Sequence, residues 1–148
     1  MKFIPVILGS FLLLLLACGK DKFETKPRLE IKDYNATEIF SGTELRITIN
    51  FFDKEGDLNG SPFTAIRVRQ NSFPPSPGKD KADTLDNYVL PDFPQKDNGE
   101  ITIAFPHDFL SESERINDTL VFRFAVTDKA GNHSDTITSN QIVVHNEP

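Results

Sequence analysis

From Asp118 to Ile137 the chain reads D-T-L-V-F-R-F-A-V-T-D-K-A-G-N-H-S-D-T-I, and its first half alternates. Leu120, Phe122, Phe124 and Val126 interleave with Val121, Arg123, Ala125 and Thr127. A period of two sends one set into a core and the other towards a sheet's second face. Ala130-Gly131-Asn132 then offers residues that tolerate positive φ, so the chain is expected to turn back into Thr136 and Ile137 as a central hairpin. After Ile137 the apolar positions Ile142 and Val144 have the opposite parity, which predicts a bulge near Ser139-Asn140.

Similar alternation recurs upstream. Leu29-Glu30-Ile31 is a short first strand, and Ser41-Gly42-Thr43 marks a turn. Leu45, Ile47, Ile49 and Phe51 then interleave with Arg46, Thr48, Asn50 and Phe52. Ile66 and Val68 alternate with Arg67 and Arg69, and Ile101, Ile103 and Phe105 with Thr102 and Ala104. Between them, Asn71 to Asp83 holds Pro74, Pro75, Pro77 and Gly78, which cannot support a ladder and read as a surface loop. Tyr88-Val89-Leu90, just before Pro91 and Pro94, has the look of an edge strand. His107 to Asn117 has room for a single helical turn.

About seven short strands with turn signals every 8–12 residues and no long helical period predict an all-β chain, an antiparallel β-sandwich of immunoglobulin-like type. A closed all-β barrel is the alternative that this pattern leaves open. The turn Thr127-Asp128-Lys129-Ala130-Gly131-Asn132 resembles the closing T-D-x-A-G-N turn of bacterial immunoglobulin-like and fibronectin type III-like domains. The resemblance would cover Leu29 to His145, within a domain spanning 29–146. Antibody domains differ, because this chain lacks their paired cysteines and buried Trp, so nothing about antigen binding carries over.

The start of the chain is of another kind. Lys2 is followed by an apolar run from Phe3 to Ala17, shorter than the roughly 18–20 residues of a membrane span, which reads as a signal peptide over residues 1–17. Leu15-Leu16-Ala17-Cys18 resembles the lipobox of bacterial lipoproteins. That resemblance implies cleavage before Cys18 and acylation of its thiol and amine by fatty chains such as palmitate. Several buried acyl chains, at about 0.8 kcal/mol per methylene, would make anchoring in the membrane effectively permanent. Gly19, in place of Asp, follows the pattern of Gram-negative lipoproteins sent to the outer membrane of the cell envelope. Residues 18–28, polar and closed by Pro27, are expected to be a flexible tether.

Composition narrows the partners. Of 148 residues, 38% are apolar and 26% charged, with thirteen Phe and no Trp, so phenylalanine must be the main core aromatic. Removing residues 1–17 takes away Lys2 and no acid, which leaves 15 basic against 22 acidic side chains. This argues against nucleic acid as a partner, since phosphate binding needs a basic face. Cys18 is the only cysteine, so no intramolecular disulfide can form.

Candidate chemistry is concentrated in loops. In a sandwich the loops after alternate strands gather at one end, which would bring Asp53, Glu55 and Asp57 towards Asp97, Asn98, Asp128 and Asn132. Converging hard oxygens suit Ca²⁺, with its 6–8 oxygen ligands. The set Asp53, Glu55, Asp57, Asp128 and Asn132 resembles the calcium-binding poles of cadherin-type domains, although the spacing is not that of an EF-hand. Solvated turn residues hydrogen-bonding their own backbone are the competing explanation. Asp83-Thr84-Leu85, Asp118-Thr119-Leu120 and Asp135-Thr136-Ile137 resemble an O-glycosylation signal of some Gram-negative bacteria, which would modify Thr84, Thr119 and Thr136. The same triplets also serve simply to enter a strand.

Nothing in the sequence forms a catalytic constellation. His107, His133 and His145 fall in separate segments, Glu112 and Glu114 read as a solvated pair, and no nucleophile elbow or phosphate loop is present. The expected function is thus non-catalytic: an accessory or adhesion-type module that binds a protein or glycan of the envelope, with Phe73 and Phe93 as loop-borne contacts. A spacer subunit of an outer-membrane complex is the alternative. An enzyme would need a concave pocket with convergent acids.

Overall fold

A computed structural model describes residues 25–81 and 84–146, with the side chains of 84–87 left out of the description. The expected signal peptide, Cys18 and most of the tether lie outside these residues. Among the described residues, nine strands and one helical turn follow one another: β1 (Arg28–Tyr34), β2 (Glu38–Ile39), β3 (Glu44–Phe52), β4 (Pro62–Arg69), β5 (Thr84–Val89), β6 (Asn98–Pro106), α1 (His107–Leu110), β7 (Asp118–Val126), β8 (Ile137–Thr138) and β9 (Ile142–Val144). They form a three-stranded sheet ordered β1-β3-β6 and a six-stranded sheet ordered β2-β9-β7-β4-β5, with β8 also paired to β7. The chain is all-β in two separate sheets, and the barrel alternative falls.

The count exceeds seven for two physical reasons. Ile39 pairs with Val144 in a two-residue strand that alternation cannot reveal. The return strand is also split in two by the expected bulge: Arg123 to Leu120 spans three steps, while their partners Thr138 to Ile142 span four. Ser139 fills the gap, its hydroxyl accepting from the Phe122 N–H while its own N–H donates to the Phe122 carbonyl. The β2–β9 pairing is parallel, which corrects the expectation of a wholly antiparallel arrangement.

Period-two alternation is what builds the core. Leu45, Ile47 and Ile49 on β3, and Leu120, Phe122 and Phe124 on β7, are all fully buried. Burying each such side chain stabilises the fold by about 1.5–3 kcal/mol before entropy is counted. Phe105 of β6 stacks on Phe122 of β7 with centroids 4.6 Å apart, so the two sheets meet through a ring contact. Phe122 and Phe124 continue the stack at 6.0 Å, and Phe63 of β4 tilts against Phe124 at 5.9 Å.

On β4 the burial runs against apolar character. Phe63, Ala65 and Arg67 point inward, with Arg67 fully buried, while Ile66 and Val68 lie half-buried on the other face. A guanidinium there requires an ion partner, and Glu112 supplies it. Glu112 therefore belongs to the interior and is not half of a solvated pair; Glu114 alone is exposed.

Candidate metal centre at one end of the sheets

Strand β7 joins two charged regions of opposite design. At its start, Asp118 is fully buried and gathers donors. Its Oδ2 accepts from the Glu112 N–H at 2.6 Å, the Ser113 N–H at 2.9 Å and Asn146 Nδ2 at 2.7 Å. Its Oδ1 accepts from Arg69 Nε at 2.7 Å. Arg67 pairs with Glu112 and also donates to the Phe109 carbonyl. Two guanidiniums thus balance two carboxylates. Burial nonetheless pushes the Glu112 carboxyl above its ordinary value against the pull of Arg67, and Asp118 adds to the rise.

Beyond the far end of β7 lies Asp128, and beyond β3 lies Asp53. Asp53 and Asp128 are 2% and 3% exposed. One carboxylate oxygen from each of Asp53, Asp57 and Asp128 falls within 4.8 Å of the others. The loop after β3 is wound tightly: the Gly56 N–H donates to the Asp53 carbonyl, and the Asp57 N–H to Asp53 Oδ2 at 2.8 Å. Gly56 is forced by this loop, since it has φ +68° and an added Cβ would stand 3.1 Å from the Lys96 backbone. The Asp53 N–H donates to the Asp97 carbonyl at 2.7 Å, which brings in the segment before β6.

Asp128 is oriented by the hairpin turn, where its Oδ1 and Oδ2 accept from the Asn132 N–H and Nδ2 at 2.7 and 2.8 Å. Among the described residues, backbone N–H groups and the Asn132 amide donate to these carboxylates. Asp53 Oδ1 and Asp57 Oδ1 are buried and have no hydrogen-bond partner. Burial pushes the Asp53 carboxyl up; the Asp57 N–H opposes this, whereas the charges of Asp57, Glu55 and Asp128 reinforce it.

Of the five residues expected to hold calcium, three converge. Glu55 is exposed and outside the group, because the turn aims its side chain away; its carbonyl accepts from Gln95 Nε2. Asn132 serves as a donor to Asp128. Asp97 contributes a carbonyl to Asp53, while its Oδ1 accepts from Asn98 Nδ2.

The remaining candidates scatter. Phe73 is 71% exposed on the proline-rich loop. Phe93 is half-buried and stacks on Phe51 at 5.6 Å, which removes it from the surface as a free contact. Thr136 is exposed, whereas Thr119 is half-buried within β7, paired opposite Val143; the side chain of Thr84 is outside the description. His107 Nε2 meets the His145 carbonyl at 2.9 Å, and His133 lies elsewhere beside Thr127. The buried group around Asp118 escaped sequence reasoning, because its members come from three separated segments and Arg67 carries no sign of facing inward.

No family model matches this chain, and no curated protein matches it. Among solved structures it is similar to the crystal structure of Spo0M, a sporulation control protein from Bacillus subtilis, at 10% identity and a TM-score of 0.40. That match covers 79% of this chain and 48% of the Spo0M chain, so the chain spans about half the length of the structure it matches.

Proposed function

We propose that the chain is a non-catalytic, lipid-anchored module of the bacterial envelope, an immunoglobulin-like sandwich held at the outer membrane through acylated Cys18 and binding a protein or glycan partner through its loops. The observation that supports binding over a pure spacer role is how Phe73 is presented. The residue is 71% exposed, yet its loop is pinned at several points. The Arg69 guanidinium holds the Phe73 carbonyl. The Ser76 N–H donates to the Glu112 carbonyl at 2.9 Å, and Asn71 Nδ2 to the Asn117 carbonyl at 2.9 Å. A large aromatic side chain mounted on an anchored loop loses little entropy when it enters a partner's pocket.

Two measurements test this reading. Metabolic labelling with a palmitate analogue should mark the wild type and leave Cys18→Ala unlabelled. A photo-crosslinking residue at position 73 should capture one discrete envelope component, and the same residue at exposed Glu114 should not. An unlabelled wild type would remove the anchor. Equal capture at both positions would remove Phe73 as the contact and leave the spacer role.

A further inference from the structure

We propose that Asp53, Asp57 and Asp128 form a calcium site that ties the end of one sheet to the end of the other. Asp53 and Asp57 follow β3 of the three-stranded sheet, and Asp128 follows β7 of the six-stranded sheet. Their oxygens lie within 4.8 Å of one another, a spread one Ca²⁺ can bridge with bonds of about 2.3–2.6 Å.

Geometry alone would not distinguish this from a cluster of turn carboxylates. What does is the state of the oxygens. Asp53 is 2% exposed, and its Oδ1 is buried with no hydrogen-bond partner, as is Asp57 Oδ1. An ionised oxygen removed from water and left without a donor is costly unless a cation meets it. The backbone already spends its donors elsewhere: the Asp57 N–H is on Asp53 Oδ2 and the Asn132 N–H is on Asp128 Oδ1. These bonds fix the carboxylates in place and leave Asp53 Oδ1 and Asp57 Oδ1 without a donor among the described residues. Waters and loop carbonyls would complete the shell of 6–8 oxygens that calcium takes. Mg²⁺, which holds its waters and demands octahedral bonds of about 2.0–2.1 Å, fits the site less well. The inference stands apart from the partner-binding reading, since it concerns a different end of β7.

The test uses the full-length chain purified in detergent and stripped with chelator, titrated with CaCl₂ by isothermal calorimetry and followed by thermal unfolding. One Ca²⁺ per chain is expected, with a thermal midpoint that rises and saturates, and at least ten-fold weaker binding of Mg²⁺. Asp57→Asn, which changes only a half-buried side chain, should weaken calcium binding at least ten-fold while the metal-free protein still unfolds cooperatively. Asp53→Asn should do the same, and Glu55→Gln should leave binding within two-fold of wild type. No saturable calcium binding to the folded wild type would overturn the proposal. So would calcium binding that survives both Asp53→Asn and Asp57→Asn, which would place the ion elsewhere.

Discussion

The two ends of β7 use the same kinds of side chain for opposite purposes. At Asp118, two acids face two arginines, and the acceptor oxygens of that aspartate are filled by protein donors. At Asp128, three acids face one another, and two oxygens are left without hydrogen bonds. At the Asp118 end Glu112 Oε1, Arg69 Nη2 and Asn146 Oδ1 also lack a hydrogen bond, yet the charged groups there have ion partners, Arg67 on Glu112 and Arg69 on Asp118. Buried charge by itself therefore says little. Whether the donors and countercharges come from within the chain separates a structural network from the end at which we propose a calcium ion.

The comparison is most sharply broken at the compensated end. Asp118→Ala strips Arg69, the Glu112 and Ser113 backbone and Asn146 of their shared acceptor, and should cost about 3–5 kcal/mol in chemical denaturation. A cost below about 1 kcal/mol would mean that the network is dispensable. Phe122→Ala opens a cavity where the sheets meet and should cost about 3–5 kcal/mol with no sensitivity to salt, which provides the apolar reference. Glu112→Gln keeps the shape and loses a charge that burial already opposes, so near neutral pH it should change stability by only about 1 kcal/mol.

That last variant also carries a pH signature. The Glu112 carboxyl is raised in the folded chain above its ordinary 4.5, chiefly by burial. Between that raised value and 4.5, the folded state binds a proton more tightly than the unfolded state, so this residue's contribution to stability grows as pH falls. The stability of the wild type measured relative to Glu112→Gln should accordingly rise on acidification through that window. A difference that falls instead would show Arg67 overcoming the burial. The smallest effect is expected at the acidic end: without calcium, Asp57→Asn relieves like-charge repulsion and should change stability by less than about 1 kcal/mol, in the stabilising direction.

Much of the sheet framework was legible in the sequence, because strands with one buried face write that face every second residue. The inward apolar positions of β3 and β7 were readable one by one, and the parity change after Ile137 correctly placed the bulge. β4 was harder to read, since its buried face includes Arg67 while its outer face carries Ile66 and Val68. Glu112, 45 residues away in sequence, and the Phe109 carbonyl help make that arrangement tolerable. β2 was hidden because two residues carry no period. The acidic pole was legible as a gathering of loops, but alternation says nothing about turns. It could not tell that Glu55 points outward or that Asn132 acts as a donor.

Carboxyl-detected NMR of the ¹³C-labelled protein during a CaCl₂ titration tests the contrast most directly. The account predicts that the side-chain carboxyl signals of Asp53, Asp57 and Asp128 move together and saturate at one equivalent, while those of Asp118 and Glu112 stay fixed. Carboxyl signals at both ends moving in parallel, or only exposed acids such as Glu55 responding, would contradict it.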